Sequence, residues 1–202
     1  MKRIKLNDNT NNPNFIGSWF IEPSKVCGEI IQLFEDQKSE QRPGTTAMGK
    51  LETSIKNSTD IRINPTDTQL ETHQPILRYL DCLLDCYRDY VTMWPMLEKI
   101  PGSLDIGPFN IQRYEPGGHF QAVHAERMDL SVAHRVLAWM TYLNDVEDGG
   151  STSFTHFNIN VRAEKGKTLI WPAEWTHAHC GNIVNRGVKY IITGWMHFSH
   201  DK

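Results

Sequence analysis

His124-Ala125-Glu126 places an imidazole and a carboxylate two residues apart, so in an extended segment both side chains leave the same face and are able to share one metal ion. With nine His and 24 acidic residues in the chain, a His-x-Asp/Glu tripeptide arises about once by chance. The tripeptide therefore describes a surface histidine beside a solvated glutamate as well as it describes a chelate. A second stretch, from Trp171-Pro172-Ala173 to Thr176-His177-Ala178-His179, adds two candidate ligands, His177 and His179. One of them joined to the earlier pair gives a two-histidine, one-carboxylate face with open positions, the arrangement of non-haem Fe(II) sites. A third histidine in an open position would suit zinc.

Lys189 interrupts a segment with strand character, in which Val188, Tyr190 and Ile192 alternate with Ile191, Thr193 and Trp195. If both faces of that strand are covered, the ammonium has lost its water and needs an anion. A dicarboxylate is one candidate. On an edge strand the same lysine keeps its head in solvent.

The elements that must position these groups fall into two halves. Residues 1–14 are polar and rich in Asn, and the chain is expected to be held only from about Phe15 onward. Pro23 opens a helix with Val26, Ile30, Leu33 and Phe34 on one face, and a second helix is predicted from Thr72 to Glu98, with Ile76, Leu80, Leu83, Leu84, Tyr87 and Val91 on one face and Pro95 breaking it late. Between them the polar connection from Pro43 to Thr68 is long enough to suggest a functional role, here a cover over the binding site, with a short strand around Ile61-Arg62-Ile63. From Ile106 onward, short aromatic and β-branched runs separated by turn residues predict strands at Phe109–Tyr114, Phe120–His124, Arg135–Leu143, Phe157–Arg162, Thr168–Trp171, His177–Cys180 and Lys189–Phe198. That pattern suits a sandwich or jelly roll.

The chain has 202 residues, 39% of them hydrophobic, enough for one sizeable core and a single domain over 1–202. A net charge of -3 and a pI near 6.3 argue against binding nucleic acid or an anionic membrane through a basic surface. No apolar run approaches the roughly 20 residues of a bilayer span, and Met1 to Asn12 lacks the apolar segment of a signal peptide. The expectation is a soluble cytoplasmic protein without nucleic-acid or membrane partners. Cys27, Cys82, Cys86 and Cys180 lack the paired spacing of a zinc site and are expected to be free thiols.

In their order, these residues resemble the prolyl 4-hydroxylase branch of the Fe(II)- and 2-oxoglutarate-dependent oxygenases. In that family a Tyr and a Gly-rich turn precede a His-x-Asp, and a Tyr-Leu-Asn/Ser-Asp-Val stretch then ends in Gly-Gly-x-Thr. The counterparts here are Tyr114, Gly117-Gly118, His124-Ala125-Glu126, and Tyr142-Leu143-Asn144-Asp145-Val146 running to Gly149-Gly150-Ser151-Thr152. Lys165-Gly166 resembles a further turn, and His179, Val184, Gly187 and Lys189, followed by Trp195, keep the family's distal spacing. The resemblance covers Ile111 to Phe198.

It implies an α+β fold whose core, over 106–198, is a double-stranded β-helix (jelly roll) with the N-terminal helices packed on one sheet. It selects His179 over His177, which stays as a reserve ligand lining the pocket, and so implies His124, Glu126 and His179 as the catalytic Fe(II) ligands. Lys189 would then receive the distal carboxylate of 2-oxoglutarate, helped by Tyr114 and Thr152, with Trp195 close by and ascorbate as an optional further cofactor. The implied reaction hydroxylates a C–H bond, foremost of a prolyl residue in a peptide or protein, and releases succinate and CO2. Free proline or another small molecule is the alternative substrate, and a cupin-like metal- or ligand-binding module without turnover is the alternative class. Glu126 stands where the family usually carries Asp. Retention of a carboxylate there favours hydroxylation over halogenation, and a lysine at 189 disfavours the nucleic-acid demethylases, which usually carry Arg.

Overall fold

Period-two alternation in the second half of the chain builds two facing antiparallel sheets in the computed structural model, which describes residues 1–6, 13–46, 49–66, 71–100 and 103–199. The larger sheet runs in the order Lys2–Arg3, Gly17–Phe20, Lys167–Pro172, Arg135–Tyr142, Lys189–Phe198, Phe109–Tyr114, Thr59–Ile63, Arg42–Pro43, with Leu104–Ile106 also on Lys189–Phe198. The smaller runs Ile159–Val161, Thr152–Phe154, His179–Gly181, His119–His124, Lys56–Asn57. Their inner faces meet in one apolar cluster, in which Tyr114, Met140 and Leu169 face Phe154, Ile159 and Val161. This is the expected jelly roll. Thr152–Phe154 and Gly17–Phe20 were not predicted, because three or four residues are too few to show a period.

Two amphipathic helices, α1 (Lys25–Asp36) and α2 (Gln74–Met93), cover the outer face of the larger sheet. α1 buries the expected Val26, Ile30, Leu33 and Phe34. The buried stripe of α2 is Ile76, Tyr79, Leu83, Cys86 and Tyr90, so it takes two tyrosines in place of Leu84 and Val91. Both hydroxyls find partners there: Tyr79 bonds to the Thr141 hydroxyl at 2.8 Å, and Tyr90 donates to the Phe15 carbonyl at 2.7 Å. Cys27 and Cys86 also lie in this layer, where burial pushes their thiols up to about 11 and about 12. All four cysteines are free.

Two expectations need amendment. Lys2–Arg3 pairs with Gly17–Phe20, and the Arg3 guanidinium grips both oxygens of Asp89 on α2 at 2.6 and 2.5 Å, so the chain is fastened well before Phe15. Residues 7–12 lie outside the described residues. The connection from 43 to 68, of which 47, 48, 67 and 68 lie outside them, is stitched into both sheets. Arg42–Pro43 and Thr59–Ile63 extend the larger, while Lys56–Asn57 pairs with Phe120 and His119 at the edge of the smaller. The Lys56 ammonium donates to Asp60 Oδ2 at 2.6 Å and so laces one sheet to the other.

The strand Lys189–Phe198 pairs with Arg135–Tyr142 on one side and Phe109–Tyr114 on the other. It is central, which removes the edge-strand reading of Lys189. Tyr190, Ile192 and Met196 pack toward the helices, while Ile191 and Trp195 point between the sheets. Lys189 shares that inward parity.

Candidate metal centre

His124 and His179 are directly opposed residues on neighbouring strands of the smaller sheet, and Phe154 opposes His179 on the next strand. Register alone therefore brings the two imidazoles together, with ring centroids 4.5 Å apart. Glu126 lies just beyond the end of its strand, in a bend held by the Arg127 amide donating to the Ala173 carbonyl at 3.0 Å and by Arg135 Nη1 donating to the Glu126 carbonyl at 3.0 Å. The bend swings the carboxylate inward. Glu126 Oε1 stands 3.3 Å from His179 Nε2 and 3.7 Å from His124 Nε2, and one donor atom from each residue lies within 4.8 Å of the others.

Both rings are oriented from behind. His124 Nδ1 bonds to the Ala122 carbonyl at 2.8 Å and His179 Nδ1 to the His177 carbonyl at 2.9 Å. Since a carbonyl only accepts, each Nδ1 carries a proton, and both rings turn Nε2 toward the carboxylate. An Nε2 lone pair that faces an anion is favoured only with a cation between them. Burial lowers the pKa of His124, and the neighbouring His179 lowers it further, which keeps that ring neutral and ligating. Burial raises the Glu126 carboxyl, whereas positive charge at the imidazoles of His179 and His124, a place a bound cation would take, and the Trp195 hydrogen bond lower it, to about 2. The donor set fits a divalent metal.

Trp195 Nε1 donates to Glu126 Oε2 at 2.7 Å, leaving Oε1 for the centre. Arg135 stacks on the Trp195 ring at 3.6 Å. Trp195, expected near the cosubstrate, thus acts on the carboxylate. Outer partners of this kind typically change metal affinity about 10–100-fold. We expect Trp195→Phe to weaken Fe(II) binding by about that factor, read by metal titration. Unchanged affinity would show that the indole hydrogen bond does not orient Glu126.

At the other end of the interior, Lys189 is 3% exposed and its Nζ lies between the rings of Tyr114 and Tyr142, at 5.1 and 5.4 Å from their centroids. Among the described residues it has neither a carboxylate nor a hydrogen-bond partner. Burial alone depresses its pKa to about 7. Gly150, at φ +64, explains the Gly-Gly pair: a Cβ there would sit 3.3 Å from the Lys189 side chain in a backbone conformation that side chains rarely adopt. Thr152 accepts from the Tyr142 hydroxyl at 2.6 Å and keeps its own O–H free to donate. The Tyr114 hydroxyl is turned to Gln112 Oε1 at 2.8 Å.

A cavity of about 790 Å³ joins the histidine cluster to Lys189, Tyr114, Thr152 and Trp195. His177 is not part of its lining. It lies in a 3-10 turn, Trp175–His177, with Nε2 against the Asn14 carbonyl at 2.9 Å and Nδ1 against Thr176 at 3.0 Å. The strand begins only at His179, so the alternation that placed His177 on the pocket face does not apply. Its carbonyl instead aligns His179. Sequence reading missed Gln112, Asn110, Arg62 and Arg135, all of which line the cavity. The available signal was Asn110-Ile111-Gln112, alternating polar and apolar beside a candidate site, which marks a polar interior as well as a wet surface.

Fold and site together define a jelly roll with a two-histidine, one-carboxylate cluster between its sheets. Residues 109–197 match the family model of the 2OG-Fe(II) oxygenase superfamily. Over that segment the chain is similar to the 2OG-Fe(II) oxygenases, the prolyl hydroxylases among them. The mouse prolyl 4-hydroxylase subunit alpha-3 is 30% identical over 116 residues, which is 47% of this chain and 21% of that protein. The chain spans about a fifth of the length of the curated relatives it matches. A Pseudomonas putida prolyl-4-hydroxylase superposes with a TM-score of 0.69 at 16% identity, over 92% of this chain and 93% of that one. A Trichoplax adhaerens prolyl hydroxylase, solved with a hypoxia inducible factor peptide, gives 0.72 at 14% identity over 92% and 84%. Among the described residues no helix is long and apolar enough to cross a membrane.

Proposed function

We propose that this chain is an Fe(II)- and 2-oxoglutarate-dependent dioxygenase that hydroxylates a C–H bond, with His124, Glu126 and His179 holding the metal. The observation that carries the reading is Lys189. A central strand of an otherwise well-paired sheet buries a lysine that no anion among the described residues neutralises, and it does so in the same cavity as the histidine cluster. A buried charge of this kind is costly unless a ligand compensates it. A dicarboxylate that reaches from the metal to Lys189 is such a ligand. A binding module without turnover gives no reason for that pairing.

When bound, Fe(II) with 2-oxoglutarate and dioxygen supplies the oxidation: one oxygen atom enters the substrate C–H bond, the other enters succinate, and CO2 leaves. The chain's own residues do the positioning. His124 and His179 present Nε2 because backbone carbonyls hold their Nδ1 protons, and Trp195 fixes the rotation of the Glu126 carboxylate. Lys189 neutralises the distal carboxylate, Thr152 has a free O–H to offer it, and the packed rings of Tyr114 and Tyr142 exclude water from that end.

Similarity to prolyl hydroxylases supports a prolyl residue of a peptide or protein as substrate, with free proline as the smaller alternative. The test is succinate formation by the Fe(II)-reconstituted protein over a panel of proline-containing peptides and free proline. Substrate-dependent succinate with hydroxyproline as product is expected. No stimulation by any member would leave the binding module as the better reading.

A further inference from the structure

The inner face of the larger sheet is a ladder of cross-strand rows. Lys189 stands opposite Tyr114, Ile191 opposite Gln112, and Thr193 opposite Asn110. Thr59–Ile63 extends two of these rows, placing Asp60 beside Gln112 and Arg62 beside Asn110. The Asp60 charge is spoken for, since Lys56, Ser58 and Gln112 all donate to it. Arg62 is different. It is exposed at the mouth of the cavity, and among the described residues no carboxylate pairs with it. The Asn110 side chain beside it has no hydrogen bond among those residues either.

This row cannot serve the cosubstrate's distal end. Thr193 follows Lys189 by four residues, about 13 Å along an extended strand, which exceeds the span of a five-carbon diacid. The row does stand next to the metal ligands, because Trp195, two residues beyond Thr193 on the same face, donates to Glu126. Arg135, the other guanidinium lining the cavity, is already engaged, stacked on Trp195 with Nη1 3.8 Å from Glu126 Oε2. Arg62, with no carboxylate beside it among the described residues, favours an anion at the mouth.

Resting on the oxygenase reading above, we propose that the substrate carries a carboxylate, bound by Arg62 with the Asn110 amide beside it, while its reacting C–H bond faces the His124–Glu126–His179 cluster. A guanidinium and an amide side by side offer several N–H donors to one carboxylate. The carboxylate has two sources, a free amino or imino acid and an acidic group on a peptide, and the same chemistry recognises both.

Matched acid and amide ligands test this: L-proline against L-prolinamide, a proline peptide with a free C-terminus against its amide, and the same peptide with Glu against Gln beside the proline. Binding is read anaerobically by tryptophan fluorescence, since Trp195 and Trp171 line the cavity, and turnover by succinate release, both with the Fe(II)- and 2-oxoglutarate-loaded full chain. In at least one pair the acid should bind about tenfold or more tighter, equivalent to about 1.4 kcal/mol. The pair that responds identifies the source. Arg62→Met should bring that ratio close to one, and Arg62→Lys should keep part of it. Equal binding of acid and amide in every pair, or an undiminished ratio in Arg62→Met, overturns the proposal. If the loaded protein shows the visible absorption of an iron-bound oxo acid yet no acid preference, only this inference fails; absence of that absorption defeats the oxygenase reading itself.

Discussion

Lys189→Met is expected to raise the KM for 2-oxoglutarate by about 30-fold or more, because truncating one partner of a buried charge pair costs about 2–5 kcal/mol. The methionine fills similar volume, so the loss should be read in cosubstrate affinity with the fold intact by circular dichroism. The same residue sets a pH dependence. Burial holds the free ammonium at about 7, whereas the bound dianion favours the protonated form and raises its pKa. Below about pH 7 the lysine is charged before and after binding, and affinity is flat. Above it a proton must be taken up on binding, so affinity should fall by about tenfold per unit until the pKa of the complex is passed. A KM for 2-oxoglutarate unchanged in Lys189→Met, measured at pH 7, would remove Lys189 from the cosubstrate site.

Glu126→Gln and Glu126→Ala should reduce activity to background and lower Fe(II) affinity by at least about 100-fold, since a ligand contributes more than the outer partners whose loss costs up to about that factor. Gln keeps the shape and the Trp195 contact but loses the charge that faces two Nε2 lone pairs. Glu126→Asp keeps the charge on a shorter arm. The expected order of Fe(II) affinity is Glu, then Asp, then Gln and Ala. Affinity of the Gln variant equal to that of the natural chain would show that the carboxylate is not a ligand.

How much of this was legible in the sequence depended on whether local pattern or long-range pairing carried the information. The strands Phe109–Tyr114 and Lys189–Phe198 were readable to the residue, because six to ten residues are enough to show a period of two. His124-Ala125-Glu126 was not distinguishable from chance until the distal spacing was added. Its geometry differs from the simple picture as well, since Glu126 reaches the centre from a bend and not from a shared strand face. Lys189 was undecided between core and edge, because a strand's position in a sheet is set by partners remote in sequence. His177 was misplaced because the turn Trp175–His177 breaks the alternation that a strand would have continued.

Arg62, Asn110 and Gln112 were passed over for a related reason. A period-two reading assigns polar residues to solvent, yet the inner face of this jelly roll is polar where it lines the cavity. The long connection from 43 to 68 looked loose because its few strand residues pair with both sheets, which no local window can show. In α2 the buried stripe follows Tyr79 and Tyr90, whose hydroxyls are satisfied by Thr141 and Phe15. Without those partners in view, leucines seemed the better core residues.

The most direct test of the metal centre is anaerobic addition of Fe(II) and 2-oxoglutarate to the purified chain, followed by visible absorption spectroscopy. The weak charge-transfer band of an oxo acid chelated to iron is expected in the natural chain and should be absent in His179→Ala. No band in the natural chain, or an undiminished band in His179→Ala, would contradict the assignment of His124, Glu126 and His179 as the ligands.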